Sequence, residues 1–216
     1  MGIEKMTIIY QLSSQQKERS EKGNRIVAAQ ILDNPDLLYE IIDCFNSKDN
    51  GLLGDCVEVC TMIAENDPEL IAPYSDKIIQ LLGHKNTRVR WEAMHATALI
   101  TRFAPDIVAK QWDQLAIMFS KDKSVIVRDY IVVCAGILAT CDDKYAEKAY
   151  PLLLDALSAH QTHHAKLALE GLAKGFPHLK TRKDEITELA DLFLQHPKPT
   201  IRKAAQQLKK RLSDFQ

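Results

Sequence analysis

Apolar positions along the chain recur at helical rather than strand spacing. Over residues 87–103, Val89, Ala93, Ala96, Ile100 and Phe103 follow one another at steps of three or four, which gathers them on one face of a helix. Over 124–140, Val127, Ile131, Cys134 and Leu138 repeat the pattern. Residues 125–133 are rich in β-branched types and pass locally for a strand. Propensity is a weak prior, and the register shared with the other stretches predicts helix. Punctuation falls between the stretches, at Asn34-Pro35, Asn66-Asp67-Pro68, Ala104-Pro105-Asp106, Cys141-Asp142-Asp143 and Phe176-Pro177. Asn, Asp and Pro favour caps and breaks there.

The stretches are copies of one unit. Thr87-Arg88-Val89-Arg90-Trp91-Glu92-Ala93, Ser124-Val125-Ile126-Val127-Arg128-Asp129-Tyr130 and Pro199-Thr200-Ile201-Arg202-Lys203-Ala204-Ala205 are the clear ones. Weaker copies open at Gly51-Leu52-Leu53 and His163-His164-Ala165, giving five returns at a period of about 37 residues. A helix pair of that length cannot bury its apolar face alone, so the repeats must stack on one another. Outer helices A are predicted over 35–46, 70–82, 107–119, 144–158 and 181–195. Inner helices B are predicted over 51–65, 87–103, 124–140, 161–176 and 199–213. The first 34 residues do not repeat. Ser13-x-x-Gln16 reads as the cap of a helix running through Ile26, Ala29 and Ile31 to Asn34, with residues 1–12 loosely attached. Lys17, Glu18, Arg19, Glu21 and Lys22 suit the polar outer face of a terminal cap. Lys209-Lys210-Arg211 reads as the solvated end of the last helix.

The paired helices, the period and the Val-Arg opening of helix B resemble HEAT repeats. In that family an aspartate before helix B is followed six residues later by an arginine, and Asp122 and Arg128 match it. The second and fifth repeats keep Arg90 and Arg202 but place His84 and His196 at the aspartate position, while Leu53 and Ala165 stand where the first and fourth would carry the arginine. The resemblance covers residues 35–213 and implies that the Asp122–Arg128 pair serves the fold, bridging repeats by charge-assisted hydrogen bonds. The expected architecture is all-α: a right-handed α-α superhelix of about five HEAT-like pairs plus an N-terminal capping helix. Residues 1–34 form the tail and cap, and 35–216 the solenoid, in a single continuous domain.

Composition narrows the partners more than it names them. Apolar residues make up 46% and charged residues 26% of the 216, and the net charge is −1, which gives no bulk attraction to nucleic acid or an acidic membrane. No apolar run reaches the roughly 18 residues of a membrane span, and the N-terminus lacks a signal-peptide core. The expectation is a soluble cytoplasmic protein with no membrane partner. Cys44, Cys56, Cys60, Cys134 and Cys141 are an odd number and read as buried structural thiols of a reducing compartment.

Motifs of chemistry are missing. The eight glycines form neither GxGxxG nor GxxxxGK[ST], and no Gly-x-Ser-x-Gly or His-Glu-x-x-His occurs. His160 and His164 share a helical face, but a metal would need further ligands, with only Asp155 nearby; a polar inter-helix turn accounts for the cluster. No catalytic residue, cofactor or metal is expected. Trp112 shares a stripe with Val108, Leu115 and Phe119 and reads as core. Trp91 falls off the apolar stripe, beside His95, Ala98 and Arg102. It either lies over the neighbouring B helix or anchors a partner.

The same register puts Glu58, Thr61 and Glu65, then Asp129, Val133 and Thr140, then Lys166 and Glu170, and finally Lys203, Gln207 and Lys210 on the inner surface. Charge shifts along the chain, from 13 acids and 6 bases over residues 1–70 to 10 acids and 13 bases over 142–216. This leads to a non-enzymatic scaffold that binds a protein or peptide on the concave face of the inner helices, through Trp91, His95, Arg102, Asp129, Lys166, Glu58 and Lys203. The alternative is a nucleic-acid-binding solenoid resembling the HEAT-like alkylpurine DNA glycosylases, for which Trp91, Asp129 and Arg102 are the comparable residue types; the modest charge weighs against tight phosphate binding.

Overall fold

The computed structural model describes residues 7–214, which are mostly helical with no strand among them. The chain divides into two compact units, Met1–Ala104 and Pro105–Gln216. The first contains α1 (Lys22–Asp33), α2 (Leu38–Asp43), α3 (Asn50–Ala64), α4 (Pro68–Ile71), α5 (Ser75–Gln80) and α6 (Thr87–Ile100). The second contains α7 (Pro105–Lys110), α8 (Trp112–Lys121), α9 (Val125–Leu138), α10 (Asp143–Thr162), α11 (Ala165–Gly175), α12 (Lys183–Leu194) and α13 (Pro199–Ser213).

Helix starts coincide with side-chain caps. Asp49 accepts from the amides of Gly51 and Leu52, Asn86 from Arg88 and Val89, Ser124 from Val127, and Asp142 from Tyr145. Each satisfies amides that the first helical turn leaves without a partner. In the first unit α3 packs against both α1 and α6, burying Leu53, Cys56, Val57, Cys60 and Ile63 on one side and Val89, Ala93, Ala96 and Ile100 on the other. In the second, α11 packs against α9 and α13, and Val127, Ile131, Cys134 and Leu138 are fully buried. Residues 125–133 are helical, as the register predicts and against their β-branched composition.

Several expectations are corrected. The outer helix expected over 70–82 is broken into α4, a 3-10 turn at Ala72–Tyr74 and α5, because Pro73 has no amide hydrogen to continue the ladder. Phe103, assigned to the core stripe, is 43% exposed, since α6 ends at Ile100 and the stripe lapses with it. The N-terminal helix starts at Lys22 rather than near Ser13. Ser13 is buried instead: its hydroxyl accepts the Gly23 amide at 3.1 Å and its own amide donates to Asn24 Oδ1 at 3.0 Å. These bonds turn residues 13–21 back across the start of α1. Nor are residues 7–12 loosely attached, since Ile8 and Leu12 are core residues; residues 1–6 lie outside the described ones. The fourth inner helix begins at Ala165, not 161, because His160, Gln161 and Thr162 have positive φ. A run of left-handed residues cannot belong to a right-handed helix, so the regular part of α10 ends at Ser158, before the non-helical Ala159.

The arginine that opens helix B works through the backbone. Arg128 Nη1 donates to the carbonyl oxygen of Asp122 at 3.1 Å, Arg90 Nη1 to that of His84 at 2.9 Å, and Arg202 Nη1 to that of His196 at 2.9 Å. The residue six positions back therefore contributes its carbonyl, which any side chain leaves available. Its side chain closes the turn instead. Asp122 Oδ1 accepts the Ser124 amide at 2.8 Å, and His84 Nδ1 and His196 Nδ1 accept the amides of Asn86 and Lys198, each at 3.1 Å. Histidine thus replaces aspartate as an acceptor two residues back. Arg128 also donates to His160 Nδ1 of the next repeat at 3.3 Å. Replacing Arg128 with alanine is expected to cost about 1–3 kcal/mol, from acceptors left unpaired, with chemical denaturation as the readout. Unchanged stability would detach this arginine from the fold.

Candidate binding cleft in the N-terminal unit

Arg88 organises the site. It lies on the first turn of α6, against α3, where Gly54 leaves room for it. A Cβ at Gly54 would stand 3.2 Å from Arg88 Nη1 and 3.4 Å from its Cδ. Arg88 Nη2 donates to Asp55 Oδ1 at 2.7 Å and to Glu58 Oε2 at 2.9 Å. Asp55 is 1% exposed and takes a further bond from the Ser14 amide at 2.6 Å, while Glu58 takes one from the Asn24 side chain. Burial pushes the Asp55 carboxyl up, but bonds from Ser14, Asn24 and Arg88 outweigh it and hold the group below its usual range. This buried pair ties the turn at residues 13–21, α1, α3 and α6 together.

A cleft of about 610 Å³ opens beside the pair, lined by the 18–21 turn, Ser13, Ser14, Asp55, Glu58, Arg88 and Trp91. Its walls carry four carboxylates (Glu18, Glu21, Asp55 and Glu58) against the guanidinium groups of Arg19 and Arg88. Trp91 is half-buried, and its indole N–H donates to the Glu92 carboxylate.

The expected site residues fall into two sets. In the first unit Glu58 and Trp91 line this one cleft. His95, also half-buried, lies one turn further along α6 with Nε2 3.9 Å from Glu65 Oε1. Arg102 is exposed beyond the end of the helix. Thr61 and Ala98, expected on the inner surface, are buried. In the second unit Asp129 is occupied by His164, whose Nδ1 lies 2.7 Å from its Oδ1 and whose side chain is fully buried. Lys166 is exposed and 3.6 Å from Glu170, and Lys203 is exposed on α13. Trp112 is core, at 5% exposure.

The histidine cluster is a packed turn. His160 Nε2 faces the Phe119 carbonyl at 3.1 Å while its Nδ1 accepts from Arg128. Both His160 and His164 set their rings edge-on to Phe119. Among the described residues no group of three or more His, Cys, Asp or Glu side chains is placed to hold a metal ion.

Asp55, Arg88, Ser14, Asn24 and Glu92 were missed by the sequence reading. Two signals point to them: an aspartate inside the apolar run Leu52–Cys60, and an arginine 33 positions later, close to one repeat away. A carboxylate in an apolar stripe must find a partner.

No family model and no curated protein sequence matches the chain. Solved structures do. An engineered protein matches at 16% identity and a TM-score of 0.72, over 96% of this chain and 95% of that one. A designed armadillo repeat protein in complex with the peptide (KR)4 matches at 17% identity and 0.72, over 95% and 98%. The archaeal HEAT-like repeats protein from Thermococcus onnurineus NA1 matches at 14% identity and 0.59, over 99% and 98%. The fold is a HEAT- and armadillo-like helical repeat. Among the described residues no helix is long and apolar enough to cross a membrane.

Proposed function

We propose that this helical-repeat protein is a non-enzymatic scaffold that binds an extended segment of another protein on its inner helices, seated at the Trp91 cleft, and that the segment carries lysine or arginine. The observation that carries this reading is the cleft itself: a half-buried tryptophan beside walls in which carboxylates outnumber guanidinium groups. Aromatic anchors dominate interface energetics, and a tryptophan face attracts cations. A phosphate backbone would ask for basic walls instead. The armadillo-type neighbour with a bound (KR)4 peptide is consistent with an occupant of this kind.

Selection of ligands from a random-peptide display library, followed by titration of the selected sequences, tests the reading. Enriched peptides should be rich in Lys and Arg. Trp91→Ala should weaken them about 30-fold, the scale of a hot-spot truncation of 2 kcal/mol. Enrichment of neutral or acidic peptides would remove the cationic partner. Peptides that bind Trp91→Ala as well as wild type would remove the cleft.

A further inference from the structure

Glu92 lies behind Trp91, 8% exposed. Its carboxylate accepts the indole N–H, and its backbone carbonyl accepts the Thr61 hydroxyl of α3 at 3.2 Å. Glu58 of α3 and Arg88 of the same helix are the charges that act on it. Arg88 is committed to Asp55 and Glu58, and among the described residues no ion pair reaches Glu92. Burial pushes its carboxyl above the usual value of 4.5 and Glu58 adds repulsion, against hydrogen bonds from Trp91 and Thr61 and the pull of Arg88. Glu69 of α4 and Asp76 and Lys77 of α5, the charged residues of the other helices packed on α6, are exposed. The cleft therefore backs onto a buried carboxyl that lacks a cation.

Resting on the reading of the cleft as a seat for a cationic segment, we infer that Glu92 is the positioning residue of that seat. Its carboxyl group accepts the indole N–H of Trp91 whether protonated or ionised, and it releases its proton to solvent when a lysine or arginine side chain arrives, so the segment binds more tightly as pH rises. A cation brought beside an uncompensated carboxyl favours the ionised form. Linkage makes the effect reciprocal, since whatever ionises on binding strengthens binding once it is already ionised. The acid Glu92–COOH becomes the carboxylate plus one proton in bulk water, with no other bond changed. Affinity should climb from the ordinary carboxyl range up to the raised value of the free protein and level off above it. The gain is about tenfold for each pH unit by which the bound cation lowers the group.

The test uses the full chain carrying Trp112→Phe, so that Trp91 alone reports, and an octapeptide of alternating lysine and arginine. Dissociation constants are measured from about pH 5 to 8, and binding heats in two buffers of different ionisation enthalpy count the protons released. Wild type is expected to tighten up to the raised value of Glu92, to level off above it, and to release protons only below it. Glu92→Gln keeps an acceptor for the indole and should bind with a flat profile. His95, whose pKa is lowered by burial, is the other titratable group on this face of α6, and His95→Gln should keep the slope. A Glu92→Gln variant with the full slope, or a slope that disappears in His95→Gln, would overturn the assignment. Peptide binding that neither releases protons nor tightens at the acid end of the range in the wild type would overturn it whether or not the variants fold, while leaving the scaffold reading intact. No peptide binding at any pH would remove the cationic seat and this role with it.

Discussion

Arg88→Ala is expected to destabilise the N-terminal unit by about 3 kcal/mol, at the low end of the range for breaking a buried ion pair because the arginine side chain is 37% exposed. The loss comes less from a missing attraction than from what remains. Asp55, 1% exposed, would keep the bond from the Ser14 amide but lose its cation, and Glu58 would keep only Asn24. An uncompensated buried carboxylate is costly wherever it is left. The variant should also respond differently to acid. In the wild type the Asp55 carboxyl is held below its usual 3.8, so the pair stabilises the fold above that pH, and the contribution disappears as pH falls through the folded value. With Arg88 gone, one of the causes that hold the carboxyl down is removed and the acid-side loss should be shallower. Urea unfolding from about pH 2 to 7 measures both effects. A variant as stable as wild type at neutral pH, or one with an unchanged acid limb, would show that the pair is incidental to the fold. Arg88→Met, which keeps the stem against Gly54 without the charge, separates lost packing from lost charge.

Gly136→Val should destabilise the C-terminal unit by about 3 kcal/mol, the upper end of core overpacking. Gly136 on α9 faces Gly171 on α11. A Cβ on Gly136 would lie 2.7 Å from the Gly171 Cα, and one on Gly171 would lie 3.1 Å from the Gly136 Cα and 2.9 Å from Leu153 Cδ2. Backbone stands against backbone at this crossing, so no flexible side chain is available to move aside and the helices themselves must separate. The buried faces of Val127, Ile131, Cys134 and Leu138 depend on that approach. Gly171→Ala, which meets the movable end of Leu153 as well as backbone, should be the milder change. Thermal unfolding of the two variants checks the order. A Gly136→Val midpoint close to that of wild type would show that the Gly136–Gly171 crossing tolerates a side chain and does not set the packing of α9 on α11.

The repeat period, the five helix pairs and the core stripes of α6 and α9 were legible in the sequence. Apolar spacing at a helical period and capping residues at fixed offsets are local properties that recur in each copy. Trp91 and Glu58 were legible as positions off the apolar stripe for the same reason, since side-chain direction follows from register along a helix. Tertiary structure decided the rest. It turned the aspartate–arginine signature into a bond from arginine to a carbonyl, which explains why His84 and His196 stand where Asp122 does. It folded residues 13–21 back to wall a cleft, because the Ser13 amide donates to Asn24 and the Ser13 hydroxyl accepts the Gly23 amide at the start of α1. It also joined Asp55 to Arg88 and set Glu92 behind Trp91. The Asp55–Arg88 pair depends on the distance between two helices 33 residues apart in the chain, and the burial of Glu92 depends on how α6 packs. Local pattern sets which face a residue occupies, but only packing sets what it meets there.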